Sequence, residues 1–140
     1  PDGSQLVFVS DRSGKPQLYT IKKNGGSMNR LKTNISKNCT EPDWNPLDSD
    51  LILFTASVGG TFQIVEYSFK KSKSRVLTNA SGGAVEPCWL SDGRHALFTE
   101  RINDQTRLML LDTLTKKVSA LHSLKFGNVS GGDYFNGRVY

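Results

Sequence analysis

The sequence predicts an all-β fold of repeated antiparallel units, because one motif and the apolar residues behind it recur with a period in the mid-forties. Glu41-Pro42-Asp43-Trp44 returns as Glu86-Pro87-Cys88-Trp89, which is 45 residues later (89 − 44). Phenylalanine recurs at Phe8, Phe54 and Phe98, at intervals of 46 and 44 residues. A turn followed by a strand at such a period is typical of β-propeller blades. We therefore expect three consecutive four-stranded blades, with repeats at about 1–44, 45–89 and 90–133.

The second repeat defines the four strands of a blade. Pro42–Trp44 is the short inner strand, and Leu51–Ala56 is nearly continuous in apolar residues, as expected of a strand covered on both faces. Val58-Gly59-Gly60-Thr61 predicts a tight turn, since glycine adopts positive φ freely. Phe62–Phe69 alternates and is rich in aromatic residues, which predicts the third strand. Ser74–Thr78 is the polar outer strand.

The other two repeats give the same elements by alignment. The predicted strands are Gln5–Ser10, Gln17–Lys22 and Asn29–Lys32 in the first repeat, and Arg94–Glu100, Arg107–Asp112 and Val118–Leu121 in the third. The tail 134–140 is expected to close a blade or to begin a further one, because Gly131–Arg138 echoes Pro87–Arg94. Three blades leave two apolar faces bare, so further blades are expected upstream of Pro1.

The blade interiors are expected to hold equivalent large side chains from each repeat. The residues predicted to be largely buried are Phe8, Phe54, Phe98, Leu18, Ile64, Leu108, Trp44 and Trp89. The two tryptophans lie at a repeated position beside a proline, which favours packing between blades over a recognition surface.

Composition and motifs argue against several functions. The net charge of +5 comes partly from one lysine-rich turn per repeat, with no interleaved aromatic residues for base stacking, so we expect no nucleic acid partner. No apolar run is long enough for a membrane span. Cys39 and Cys88 are expected to be unpaired, and neither has a partner at zinc-ligand spacing. His95 and His122 lack a catalytic setting, and no hydrolase or nucleotide-binding motif is present. We therefore expect no enzyme activity, metal or cofactor in this chain.

The chain resembles TolB-type propeller repeats over residues 1 to about 125. The likeness is clearest in the first repeat, in Pro1-Asp2-Gly3, Ser10-Asp11-Arg12, Gly14-Lys15-Pro16-Gln17-Leu18-Tyr19 and Gly25-Gly26 before Arg30-Leu31. The resemblance implies a six-bladed, non-enzymatic propeller in the periplasm. It also implies that one face docks the peptidoglycan-associated lipoprotein Pal beside other Tol components, in cell-envelope maintenance and protein transport. The alternative is the substrate-gating propeller of a prolyl-oligopeptidase-like serine peptidase, since that class carries similar repeats.

One face of the propeller is the predicted partner-binding face. The connections between blades share a face with the turns between the second and third strands, and recognition usually sits in loops on a rigid scaffold. The lysine-rich turns fall on the opposite face. The residues expected on the partner-binding face are Asp11, Arg12, Asn38, Thr40, Glu41, Val58, Ala84, Val85, Glu86 and Arg101.

Overall fold

The fold is entirely β in the part of the chain that the computed structural model describes, residues 2–121 and 129–140. Its strands are β1 (Gln5–Ser10), β2 (Gln17–Lys22), β3 (Asn29–Arg30), β4 (Cys39–Trp44), β5 (Leu51–Val58), β6 (Thr61–Ser68), β7 (Lys73–Val76), β8 (Ala84–Trp89), β9 (His95–Ile102), β10 (Gln105–Asp112), β11 (Val118–Ala120), β12 (Tyr134–Phe135) and β13 (Arg138–Val139). The all-β prediction is confirmed, and the bounds of β1 and β2 are as predicted. Pro1 and His122 lie outside the described residues. No helix in the described ranges is long and apolar enough to cross a membrane.

The strands form consecutive antiparallel sheets, each a blade. Two sheets have four strands, in the orders β4-β5-β6-β7 and β8-β9-β10-β11. The first sheet, β1-β2-β3, contains the equivalents of the second to fourth strands, and β12 pairs with β13 in a small hairpin. Within each sheet, strands that are consecutive in sequence pair with each other, which is the topology that the repeat predicts.

The turn between β5 and β6 has the predicted chemistry. Val58 pairs with Thr61, so Gly59 and Gly60 form a two-residue hairpin loop. Both glycines have positive φ, 60° and 87°, which this kind of loop requires at its two central positions.

The core consists of two layers, one between each pair of neighbouring sheets. Alternate residues of β5 point in opposite directions: Ile52, Phe54 and Ala56 belong to the layer shared with the first sheet. Leu53 belongs to the layer shared with the third sheet, together with Trp89 and others. A strand between two sheets has no solvent-facing side, which is why its sequence is continuously apolar.

The burial prediction is confirmed for five of the eight side chains, since Phe54, Phe98, Leu18, Ile64 and Trp89 are buried. The other three, Phe8, Leu108 and Trp44, are half-buried. Phe8 belongs to the first sheet and Leu108 to the third. In the described part of the chain, the only sheet of more than two strands that packs against either of them is the second one.

The half-buried Trp44 still has a packing role. Its ring stacks on Phe69 with centroids 5.3 Å apart, and its indole Nε1 donates a hydrogen bond to the carbonyl of Ser49 at 3.0 Å. Trp44 also packs against the core layer between the first and second sheets, so the prediction that it packs between blades is confirmed.

Candidate partner-binding face

Backbone hydrogen bonds hold the loops of the partner-binding face to the ends of the strands. The connection before β4 accepts from the end of β5, through Ser57 N and the carbonyl of Asn38 at 3.2 Å. In the same way, the connection before β8 accepts from the end of β9, through Arg101 N and the carbonyl of Gly83 at 2.9 Å. Cys39 N also donates to the carbonyl of Pro16, at 2.9 Å, which joins the β1–β2 turn to β4. These loops are therefore fixed parts of the scaffold.

The side chains predicted on this face differ in how much surface they offer. The residues Asp11, Arg12, Glu41 and Arg101 are exposed; Asn38, Thr40, Val58 and Glu86 are half-buried; Ala84 and Val85 are buried. Val85 is only 7% exposed, so it contributes little surface. Arg12 is ordered by its neighbours: its guanidinium lies 5.2 Å from the Tyr19 ring centroid and its Nε donates to Ser10 Oγ at 3.2 Å.

The two glutamates of the repeated motif have an unusual backbone. Glu41 has φ 53° and Glu86 has φ 58°, in the left-handed region that few non-glycine residues adopt. Each lies where the inner strand shifts its register against the next strand, between Thr40 and Asp43 and between Val85 and Cys88. Such a bulge re-aims the side chain at that position.

The two carboxylates hold neighbouring blades together. Glu41 Oε2 accepts from Thr55 Oγ1 of its own blade at 2.6 Å and from the backbone N of Glu86 in the next blade at 2.9 Å. One repeat further, Glu86 Oε2 accepts from Thr99 Oγ1 at 2.8 Å and from Gly131 N at 2.7 Å. We call these contacts the inter-blade carboxylate bonds. Gly131 is 45 residues after Glu86, and its backbone N meets the Glu86 carboxylate as the backbone N of Glu86 meets that of Glu41.

The sequence reasoning missed this structural role of the glutamates, although a signal was present. Thr55 and Thr99 are 44 residues apart and follow the two glutamates by 14 and 13 residues. A hydroxyl donor that repeats with an acid indicates a hydrogen bond between them. The carboxylates therefore have hydrogen-bond partners within the chain.

Two residues beyond each glutamate, a second set of polar groups links successive inner strands. Asp43 Oδ2 accepts from Trp89 N at 2.6 Å, and Cys88 Sγ donates to Asp133 Oδ1 at 3.4 Å. Burial raises the pKa of the Asp43 carboxyl above its ordinary value. Burial, with the nearby charge of Asp43, raises the pKa of the Cys88 thiol to about 11. Cys88 is therefore a protonated thiol at neutral pH and a poor nucleophile.

The remaining candidate groups show no catalytic arrangement. Cys39 and Cys88 are both free thiols. His95 Nδ1 lies 2.6 Å from Asp92 Oδ2 at an exposed turn, rather than in a cleft with a nucleophile. Within residues 2–121 and 129–140, no three His, Cys, Asp or Glu side chains are grouped so as to hold a metal ion.

The opposite face carries the lysine-rich turns. Lys22 lies at the end of β2, and Lys70 and Lys71 follow β6. Lys116 and Lys117 follow β10 at the same end of the third sheet. Two ion pairs lie beside these turns, Arg75 with Glu66 at 2.9 Å and Arg94 with Asp112 at 2.6 Å.

Relatives in sequence include bacterial TolB homologs and a peptidase. The protein called Protein TolB homolog from Chlorobium luteolum is 30% identical over 122 residues, which is 84% of this chain and 27% of the relative. A Bacillus subtilis protein, Uncharacterized peptidase YuxL, is 43% identical over 60 residues, or 42% of this chain and 9% of the relative. The chain thus spans about a quarter of the length of the TolB homolog that it matches.

Solved structures share the fold. The putative TolB from Agrobacterium tumefaciens matches with a TM-score of 0.79 and 24% identity, over 94% of this chain and 49% of that one. A puromycin-hydrolyzing peptidase from Mycobacterium tuberculosis matches with a TM-score of 0.74 and 13% identity, over 96% of this chain and 22% of that one. At these identities the likeness establishes the fold alone. The family described as TolB beta propeller domain matches residues 1–130, nearly the whole sequence. This chain belongs to the TolB β-propeller domain family.

Proposed function

We propose that this propeller is a non-enzymatic module that binds a protein partner through the partner-binding face. The observation that carries the proposal is that this face combines fixed loop backbones with exposed polar side chains. Its loops are fixed by backbone hydrogen bonds from Ser57 and Arg101, while the side chains of Asp11, Arg12 and Arg101 remain exposed. A rigid scaffold that presents exposed polar side chains suits protein recognition, because little entropy is lost on binding.

The partner proposed from family membership is a lipoprotein of the Pal type, in the periplasm of a bacterial envelope. In this role the protein acts with other Tol components in envelope maintenance and protein transport. The chain supplies the docking surface and performs no chemistry.

The test uses charge-swapped variants of the full-length protein and a purified Pal-type lipoprotein from the same organism. The double variant Asp11→Lys/Arg101→Glu changes two exposed side chains on the face and leaves the net charge unchanged. Isothermal titration is expected to show weaker binding by about tenfold or more, since wrongly placed charges at an interface cost several kcal/mol. Glu41 and Glu86 are poorer choices, because their reversal also breaks the inter-blade carboxylate bonds.

The control reverses two charges on the opposite face, Lys71→Glu/Lys116→Glu, and unlike the Asp11/Arg101 variant it also lowers the net charge. We expect this variant to bind the lipoprotein as the unmodified protein does. If the lysine variant loses binding and the Asp11/Arg101 variant keeps it, the binding site lies on the face with the lysine-rich turns and the proposal is refuted.

A second candidate function is the gating propeller of a serine peptidase. The match to the peptidase YuxL over 60 residues favours it. A fluorophosphonate probe that labels the full-length protein, together with cleavage of a peptidyl-nitroanilide substrate, would support this candidate over the first. Absence of both signals in the pure full-length protein would count against it.

A further inference from the structure

A basic cleft lies beside the predicted partner contacts of the first blade. Two adjoining open depressions, of about 660 and 370 Å³, share Arg30 and Lys37 in their walls. Lys32 lines the larger depression and Lys15 the smaller one. We call the two together the basic cleft, defined by Lys15, Arg30, Lys32 and Lys37. Their volumes are in the range of sites that accept small molecules or short peptide segments.

The cations of the basic cleft come from three separate segments that the blade packing brings together. Lys15 belongs to the β1–β2 turn, Arg30 ends β3, and Lys37 lies in the connection to β4. The hydrogen bond from Cys39 N to the carbonyl of Pro16 joins the first and last of these segments. Arg30 Nη2 donates to Gln17 Oε1 at 3.2 Å, which directs its guanidinium toward the start of β2 and thus toward the partner-binding face.

The positive charge of the cleft is not neutralised by the chain. Among the described residues, all three ion pairs involve other groups: Arg75, Arg94 and His95. Of the residues that the structure describes, no aspartate or glutamate lines either depression, and the contact of Arg30 is to the neutral amide of Gln17. The four cleft residues are exposed and carry four positive charges in a chain whose net charge is +5. A concave surface of one sign of charge concentrates ligands of the opposite sign.

We infer that the basic cleft binds an extended, carboxylate-rich segment of the partner protein. This inference rests on the proposed function, because the cleft adjoins the same face. Several cations spread over two depressions match a chain of carboxylates better than a single small anion. Asn34, Ser36 and Ser57 in the wall add polar groups that can donate to carboxylate oxygens. None of the described residues that line the cleft is aromatic, so they provide no surface for the base stacking that favours binding of single-stranded nucleic acid.

The probe is a fluorescein-labelled hexaglutamate peptide, and its anisotropy is measured with the full-length protein at low ionic strength. Hexaglutamine and a labelled oligothymidylate of the same length are run beside it. The cleft variant is Lys15→Glu/Lys37→Glu, and the control Lys71→Glu/Lys116→Glu makes the same change in net charge on the opposite face. We expect the cleft variant to weaken hexaglutamate binding about tenfold or more, with little change in the control. Affinity should also fall as salt rises, because these are exposed charges.

Three results would overturn the inference: no binding of hexaglutamate, an equal loss in the two double variants, or tighter binding of oligothymidylate than of hexaglutamate at the cleft. Titration with the lipoprotein separates the two proposals. If Asp11→Lys/Arg101→Glu weakens lipoprotein binding and the cleft variant does not, the proposed partner-binding face is supported. The inference that the basic cleft binds an acidic segment of that partner is then refuted. If both variants bind the lipoprotein normally while hexaglutamate still needs the cleft, the proposed partner is wrong and the acidic-peptide site stands.

Discussion

The inter-blade carboxylate bonds predict a measurable loss of stability when one hydroxyl is removed. Thr55 is 1% exposed and donates to Glu41 Oε2 at 2.6 Å, and its oxygen also lies 3.3 Å from the backbone N of Glu86. Thr55→Val has nearly the same shape, so it removes the hydroxyl without opening a cavity. Hydrogen bonds to charged groups contribute about 1.5–3 kcal/mol. Because Glu41 is exposed and water replaces part of the lost contact, we expect about 1–2 kcal/mol here.

The assay is urea unfolding of the full-length protein, followed by tryptophan fluorescence, with Thr20→Val as the control. Thr20 is a half-buried threonine of β2 that lies away from these bonds. Thr55→Val is expected to lower the unfolding midpoint without changing the denaturant slope, and Thr20→Val to change stability by less than about 0.5 kcal/mol. A double-mutant cycle with Glu41→Ala should give a coupling energy of about 0.5–3 kcal/mol. Equal effects of the two valine variants, or a coupling near zero, would refute the assigned role of Glu41.

Three further predictions concern stability and are measured on the same protein. Burial raises the folded-state pKa of Asp43 above its ordinary 3.8, so the native state holds this proton more tightly and stability falls as pH rises above about 4. Asp43→Asn keeps an acceptor for Trp89 N, and its stability relative to the unmodified protein should therefore increase between pH 3 and pH 7; a constant difference in melting temperature would contradict this. Gly82→Ala should destabilise, because its Cβ would meet the carbonyl oxygen of Arg101, whereas Ser81→Ala at the exposed neighbour should not; equal melting temperatures would argue against the tight packing of this connection. Trp44→Ala should lower the free energy of unfolding by about 3 kcal/mol, near the lower end for a large aromatic residue because the side chain is half-buried. Trp44→Phe keeps part of the stack on Phe69 and should lower it less. An unchanged melting temperature for the alanine variant would contradict the packing role of Trp44.

The repeat in the sequence determined most of the fold. In a blade strand, apolar and polar side chains alternate when one face is covered, and the side chains are apolar throughout when both faces are covered. This pattern can be read from the few residues of the strand itself. Leu51–Ala56 therefore predicted β5, and Val58-Gly59-Gly60-Thr61 predicted its turn. The run Leu108-Met109-Leu110-Leu111 by itself would also suit a helix, but the period aligns it with strands of the other repeats, and it lies within β10. Strand ends were less determined by the sequence: β4 begins at Cys39 rather than Pro42, since the connection pairs with β5.

The tertiary structure decided what the charged groups do. Glu41 and Glu86 are repeated acids that the sequence placed on the partner-binding face, but only the packing of blades shows that each carboxylate reaches the backbone of the next one. A contact between residues 45 positions apart depends on the blade-to-blade geometry, which no local pattern encodes. Lys15, Arg30 and Lys37 likewise converge only because separate loops are joined at the edge of the first blade. The sequence could therefore predict which elements repeat, whereas the bonds and the basic cleft arise where those elements meet.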